Sequence, residues 1–86
     1  MVHVDSFGNI ITTVARDIKP GTKVAVVHGA RRYDAFAVKT FSDAEVGRLI
    51  VLKGSHGLLE VDVNQGNAAE RLGVRAGDTI RVEDAG

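Results

Sequence analysis

The stretch "LIVLKGSHGLLEVDV", residues 49–63, indicates the fold of this 86-residue chain. It contains two β-rich runs on either side of the turn Lys53-Gly54-Ser55-His56-Gly57. In the second run Leu59, Val61 and Val63 share one face, because side chains alternate along a strand. The stretch therefore predicts two adjacent strands joined by a glycine-rich turn, with an apolar face toward a core.

The opposite face of the second run carries Leu58, Glu60 and Asp62. Charged residues that alternate with apolar ones are typical of a sheet whose outer face is in water. We interpret Glu60 and Asp62 as part of a solvated strand face.

Further β-rich runs extend the pattern toward both ends of the chain. "VHVD" (2–5) and "NIITTV" (9–14) are separated by a bend at Phe7–Gly8, and residues 24–39 form two runs joined at His28-Gly29-Ala30. "GDTIRV" (77–82) supplies a last strand. Such short strands with frequent turns are typical of small β folds.

A single short helix is predicted between these strands. Asn67 is a favourable N-cap, the helix continues through Leu72, and Gly73 suits the left-handed position that ends a helix. The predicted fold is all-β: one domain over residues 1–86, an antiparallel barrel or sandwich of six to seven short strands with one helix near 67–72.

Composition excludes several classes of function. Lys plus Arg and Asp plus Glu both number 11, so the chain lacks the basic excess of a nucleic-acid binder, and Arg31 and Arg32 are interpreted as solvated hairpin charge. No apolar run is long enough to span a membrane. There is no cysteine, so disulfides and thiolate metal sites are excluded. We expect a cytoplasmic protein.

Catalytic and metal-binding patterns are also missing from the sequence. Nucleophilic catalysis needs an activated Ser or Cys beside a base, and no such motif is present. The three histidines, His3, His28 and His56, have no metal-binding spacing. We therefore assign no catalytic residue, no metal and no cofactor.

Several loop residues are suited to binding. The carboxamide of Asn9 offers a donor and an acceptor, as the edge of adenine does, and Phe7 and Phe41 could stack on its two faces. Ser55, with the backbone amides around it, could hold a carboxylate. Each has a plainer alternative: the aromatic rings as core residues, and Asn9 and Asn67 as turn and cap residues.

Three motifs in order resemble a known family. They are "HVDSFGNIITTV" (3–14), "SHGLLEVDVNQGNAAERLGV" (55–74) and "GDTIRV" (77–82), and they resemble the C-terminal domain of the S-adenosyl-L-methionine hydroxide adenosyltransferases. This family hydrolyses S-adenosylmethionine to adenosine and methionine and is related to the fluorinating and chlorinating enzymes. The resemblance covers essentially the whole chain, and the joint occurrence of its motifs is specific.

The resemblance implies a small C-terminal β domain beside a larger N-terminal α/β domain, in a trimer. The substrate would lie between the C-terminal domain of one subunit and the N-terminal domain of its neighbour. Phe7 would stack on adenine, Asn9 would hydrogen-bond its edge, and Phe41 would be the second aromatic residue. Backbone groups around Asn67 and Ala68 would complete the adenine contacts.

The methionine end of the substrate is assigned to other residues by the same resemblance. Asp5 and Ser55 would face the ammonium and carboxylate groups, with His56 at the variable position of S-x-G beside them. The chain departs from the family pattern at three positions: Ser6 replaces a frequent Arg, Thr13 a frequent Asn and Asp62 a usual Ala.

The resemblance also implies that this chain is only one half of an active site. In the family, the groups that activate the attacking water and hold the ribose come from the N-terminal domain, which these 86 residues lack. Attack on the ribose carbon needs an oriented, desolvated nucleophile. We expect binding, with little or no hydrolysis by this chain alone.

Two alternatives belong to other functional classes. The tail "VDVNQGNAAERLGVRAGDTIRVEDAG" (61–86) is similar to the second half of a PDZ domain, which binds peptide C-termini by strand addition. The front half offers only a poor version of the carboxylate-binding loop and no long amphipathic helix. A β domain that serves assembly alone is the other alternative.

Overall fold

Short strands make up most of the regular structure. The computed structural model describes residues 1–54 and 56–85, apart from the side chain of Phe41. Within these residues the strands are β1 His3–Val4, β2 Ile10–Ile11, β3 Lys23–His28, β4 Arg31–Ala37, β5 Leu49–Lys53, β6 Leu59–Val63 and β7 Arg81–Asp84. The helical elements there are α1 Ala68–Leu72 and a 3₁₀ turn at Phe41–Asp43.

The strands form one curled sheet in the order β1-β2-β6-β5-β4-β3-β7. Val2 donates its N–H to the carbonyl of Asp78 at 2.9 Å and accepts that of Gly77 at 2.9 Å, which draws the β1 edge toward the chain before β7. The result is a half-barrel with one short helix, which confirms the predicted fold class. The neighbours β4 and β5 are parallel, because the connection 38–48 returns the chain to the end where β4 began.

The core lies on the concave face of the half-barrel. Leu59, Val61 and Val63 are buried there, as their alternation predicts, and they join Ile10 and Leu72 in one apolar cluster. Burial of apolar surface stabilises the folded state by about 25 cal/mol per Å², so this cluster is the main source of stability. The packing of these residues fixes the position of β6, and with it the starting points of the loops at its two ends.

The outer face of β6 differs from expectation. Glu60 is half-buried and the side chain of Asp62 is only 2% exposed, so the interpretation of a solvated face is wrong for Asp62. Asp62 pairs with the fully buried Ile50 of β5. Nearby, the Asn64 carboxamide donates to the carbonyl of Ala44 at 2.8 Å, which holds the segment after the 3₁₀ turn over this end of the sheet.

Helix α1 begins and ends as the sequence predicts. The side chain of Asn67 accepts the N–H of Glu70 at 2.8 Å, and Gly73 ends the helix in the left-handed conformation at φ 69°. A PDZ-like domain requires a longer groove-forming helix, whereas helical residues in the described part of the chain are confined to α1 and the 3₁₀ turn. Neither of these two elements has the length and apolar character needed to cross a membrane.

Candidate functional site

The loop between β1 and β2 is built around the carboxylate of Asp5. One of its oxygens accepts the backbone N–H groups of Phe7 and Asn9, each at 2.9 Å, and the other accepts the Asn9 carboxamide at 3.1 Å. Burial alone would raise the pKa of Asp5, but these hydrogen bonds from Asn9 and Phe7 outweigh it and leave the pKa lowered. Asp5 therefore stays ionised and holds Phe7 and Asn9 in one geometry.

A second loop, residues 64–67, packs against the first. Gly8 adopts φ 82°, and a β-carbon there would overlap the carboxamide of Asn67. The carbonyl of Gly8 accepts the N–H of Ala69 at 2.9 Å, so the first turn of α1 is bonded directly to the β1–β2 loop. The backbone of Gln65 is in the left-handed conformation, with φ 57°, which residues other than glycine rarely adopt.

The two loops enclose an open cavity of about 530 Å³. The ring of Phe7 borders it with 76% of its surface exposed, which shows that this aromatic residue is not a core residue. Its lining combines this ring with one carboxamide residue from the first loop and two from the second: Phe7, Asn9, Val63, Gln65, Gly66 and Asn67. We call this the Phe7 cavity.

The structure brings some of the predicted site residues together. Phe7, Asn9 and Asn67 line the Phe7 cavity and Asp5 braces its wall, while Asn67 is also the helix cap of the plainer alternative. The side chain of Ala68 is fully buried and does not line the cavity.

The other predicted residues lie elsewhere or outside the described part of the chain. The side chain of Phe41 and all of Ser55 are outside it. His56 is exposed in the turn before β6, at the far end of that strand from Asn9, where the N–H of Gly57 donates to the carbonyl of Gly54 at 3.0 Å.

A row of three carboxylates connects the two ends of β6. Asp5 lies beside the Phe7 cavity, Asp62 is on β6 near Asn9, and Glu60 follows toward the 53–57 turn. A β-carbon at Gly54 would stand 3.0 Å from a carboxylate oxygen of Glu60, so the row reaches that turn. We call Asp5, Glu60 and Asp62 the carboxylate row.

Asp62 is the electrostatically unusual member of the row. Burial, with the neighbouring charge of Glu60, raises the pKa of Asp62 to about 7, and the charge of Asp5 acts in the same direction. Across the described residues no hydrogen-bond partner is present for its buried Oδ1 atom. In folded proteins a buried side-chain oxygen normally has a hydrogen-bond partner.

Sequence reasoning missed four contributors to this region. Val63, Gln65 and Gly66 line the Phe7 cavity, and Asp62 is buried. The "NQG" turn that follows a strand contains a usable signal, because such turns place backbone groups in unusual conformations. No pattern in the sequence indicates the burial of Asp62, because the alternation of charged and apolar residues along β6 is equally consistent with a solvent-exposed face.

The cap of α1 gives a first testable prediction. Asn67→Ala removes the acceptor for the N–H of Glu70, and we expect a loss of about 1 kcal/mol in the free energy of unfolding, measured in urea. Asn67→Asp retains an acceptor oxygen and serves as the control. Equal losses in both variants would contradict a capping role.

Comparison with known proteins agrees with this architecture. A family model described as "SAM hydroxide adenosyltransferase C-terminal domain" matches residues 1–81. Two curated relatives, each named (R)-S-adenosyl-L-methionine hydrolase, are similar over most of the chain. The protein from Thermus thermophilus is 41% identical over 91% of this chain, and that from Salinispora tropica is 39% identical over 95%. This chain spans 29% and 31% of their respective lengths.

Solved structures extend the likeness to the fold. A crystal structure of an uncharacterized conserved protein from Thermotoga maritima matches with a TM-score of 0.88 and 36% identity, covering 94% of this chain and 33% of that one. A conserved hypothetical protein from Thermus thermophilus matches with a TM-score of 0.72 and 38% identity, over 95% and 32% of the two chains. The chain therefore belongs to the SAM hydroxide adenosyltransferase C-terminal domain family.

Proposed function

We propose that this chain is the substrate-binding C-terminal domain of an S-adenosyl-L-methionine hydrolase. In this proposal the Phe7 cavity takes the adenine, and the carboxylate row leads to the methionine end. The observation that carries the proposal is the exposed ring of Phe7 beside the Asn9 carboxamide on one cavity.

The chemistry of the Phe7 cavity suits adenine. An aromatic face can stack on a purine, and stacking contributes about 1–3 kcal/mol per base. The Asn9 carboxamide donates one N–H to Asp5, which leaves its second N–H and its carbonyl oxygen for the adenine edge. The Asp5 hydrogen bonds fix both groups before the ligand arrives, which reduces the entropy lost on binding.

In this proposal the methionine part of the ligand lies along the outer face of β6. Alternate residues of a strand are about 6.6 Å apart, so the distance from Asp62 to Glu60, whose carboxylate reaches the 53–57 turn, is comparable to the length of a methionine side chain. Ser55 and His56 of that turn would meet the carboxylate, and Glu60, whose carboxylate reaches the turn, would meet the ammonium on the same carbon.

A partner domain would complete the site. The chain spans about a third of the relatives it matches, and an aromatic ring that is 76% exposed is well placed to be covered. We propose that an N-terminal α/β domain of a neighbouring subunit, in a cytoplasmic homotrimer, covers the ligand and supplies the groups that activate water.

Ligand titration of the purified chain tests the adenine assignment. We expect adenosine and S-adenosylmethionine to shift the amide resonances of Phe7, Asn9 and Gln65 with a Kd on the order of 1 mM, about 4 kcal/mol, because only half a site is present. Phe7→Ala should weaken adenosine binding about tenfold, because it removes the stacking face.

The control uses the exposure of Phe7. Because the ring is largely in solvent, Phe7→Ala should leave the unfolding midpoint nearly unchanged, and Phe7→Tyr should bind as the original chain does. Adenosine that binds the Phe7→Ala chain with unchanged affinity would contradict the assignment. If instead only peptides with a free hydrophobic C-terminus moved these resonances, the PDZ-like alternative would be favoured.

A further inference from the structure

In the described part of the chain, one carboxyl oxygen of the buried Asp62, which lies beside Glu60, has no hydrogen-bond donor. The two carboxyl groups are hydrogen-bonding neighbours on one face of β6, yet an ionised carboxylate only accepts. Asp62 is 2% exposed and, among the described residues, its buried Oδ1 has no partner. Burying an ionised, unpaired carboxylate is costly, so either a proton or a cation must compensate it.

No side chain in the described residues supplies that cation. The ion pairs formed there leave Asp5, Glu60 and Asp62 unpaired. Arg48 lies over the ring of Phe36, 4.9 Å from its centre, and pairs with Glu45. The charged and titratable side chains on the elements that pair with or pack against β6, and on the segments joined to them, are His3, Asp5, Lys39, Asp43, Glu45, Arg48, Lys53, Glu70 and Arg71. Of these, Lys53 is paired with Asp17, and Arg71 donates to the carbonyl of Gly47.

We propose that Glu60 and Asp62 share one proton in the free protein and, with Asp5, form a subsite for a positively charged group of the adenosyl ligand. This inference rests on the proposed function, because the ligand must first be held in the Phe7 cavity. When the cation enters, it compensates the carboxylates and the shared proton leaves to solvent. Glu60 and Asp5 are the groups that the ligand meets, and Asp62 is a positioning residue behind them.

The chemistry of the subsite favours an organic cation. The described residues contain no group of three or more His, Cys, Asp or Glu side chains arranged to bind a metal ion. S-adenosylmethionine carries two candidate groups, its sulfonium and its ammonium. Both would be attracted to the carboxylate row, and ligands that lack one or both can separate them.

The consequence is that affinity for the cationic ligand depends on pH. If the cation binds only when the pair has lost its proton, the apparent Kd is the intrinsic Kd divided by the deprotonated fraction. With a titration near pH 7, we expect S-adenosylmethionine to bind about 5- to 15-fold more tightly at pH 7.0 than at pH 5.5. Adenosine, which is uncharged, should bind equally at both.

The experiment follows amide shifts of the 86-residue chain at the two pH values with four ligands. A pH dependence for S-adenosylmethionine and S-adenosylhomocysteine alike would assign the subsite to the ammonium, and a pH dependence for S-adenosylmethionine alone would assign it to the sulfonium. Either result supports the proposal. The same dependence for 5′-methylthioadenosine, which has neither group, or none for S-adenosylmethionine, would overturn it.

The variant Asp62→Asn separates the contribution of the pair from that of His3, whose charge acts on Asp5. Asparagine keeps the shape of Asp62 but cannot ionise, so we expect its S-adenosylmethionine affinity to change at most about twofold between the two pH values. Adenosine binding should be unaltered. An Asp62→Asn chain with the full pH dependence would overturn the proposal.

A failure of the proposed function can be recognised separately. If adenosine does not bind, the adenine assignment fails, and the carboxyl ¹³C titration of the free chain then decides the inference. A midpoint of Asp62 near neutral pH that methylammonium lowers would support a cation subsite. A midpoint near the ordinary value of 3.8 would overturn it.

Discussion

Gly8→Ala is expected to reduce the free energy of unfolding by about 2–3 kcal/mol. Gly8 has φ 82°, and an L-residue in the left-handed region costs roughly 1–2 kcal/mol. The new β-carbon also overlaps the carboxamide of Asn67, which must then leave its position as the cap of α1, at a cost of about 1 kcal/mol. Urea unfolding measures the loss.

Gly21 provides a matched control for this prediction. It has φ 92°, but a β-carbon there would have no atom within 4 Å. Gly21→Ala should therefore show the backbone cost alone, and the difference between the two variants reports the contact with Asn67. Equal losses in Gly8→Ala and Gly21→Ala would show that this contact does not contribute.

A double variant tests the same contact from the other side. In Gly8→Ala with Asn67→Ala the overlap is gone and the cap is lost only once, so the combined loss should be smaller than the sum of the single losses. Additive losses would contradict the contact. Adenosine binding should weaken in Gly8→Ala as well, because the two loops that line the Phe7 cavity meet at Gly8.

Local sequence signals predicted the parts of the fold that depend on local chemistry. Asn67 and Gly73 define the ends of α1 because capping and a left-handed residue are properties of a few adjacent residues. The alternation of Leu59, Val61 and Val63 predicted their buried face for the same reason. The parallel pairing of β4 and β5 depends on the path of a connection, which no local pattern determines.

The candidate site was less predictable because its residues have two functions each. Asp5 and Asn9 form the loop by hydrogen-bonding to each other, and Asn67 caps a helix. A purely structural role and a ligand-binding role are therefore both consistent with the same residues. The exposure of Phe7 separates them, and exposure is a tertiary property. The burial of Asp62 is likewise a tertiary property, because it depends on elements distant in the sequence, among them the strand β5 whose Ile50 it pairs with.

Asp62→Asn is expected to stabilise the chain at neutral and alkaline pH. The pKa of Asp62 is raised from 3.8 to about 7 in the folded state, so the folded chain holds the proton more tightly than the unfolded chain. Stability that is fully present below about pH 4 is therefore lost as the pH rises through 7. One pKa unit corresponds to about 1.4 kcal/mol, which places the loss on the order of 2–4 kcal/mol.

The variant should remove this loss, because asparagine carries no charge at any of these pH values. We expect the two chains to unfold at similar urea concentrations at pH 4.5, and the variant to be more stable by about 2–4 kcal/mol at pH 8. Asp34→Asn is the control, since it makes the same change on an exposed strand position. A stability difference between Asp62→Asn and the original chain that stays constant from pH 4.5 to 8 would mean that Asp62 is ionised throughout. The carboxylate row would then hold a buried charge with no proton to release.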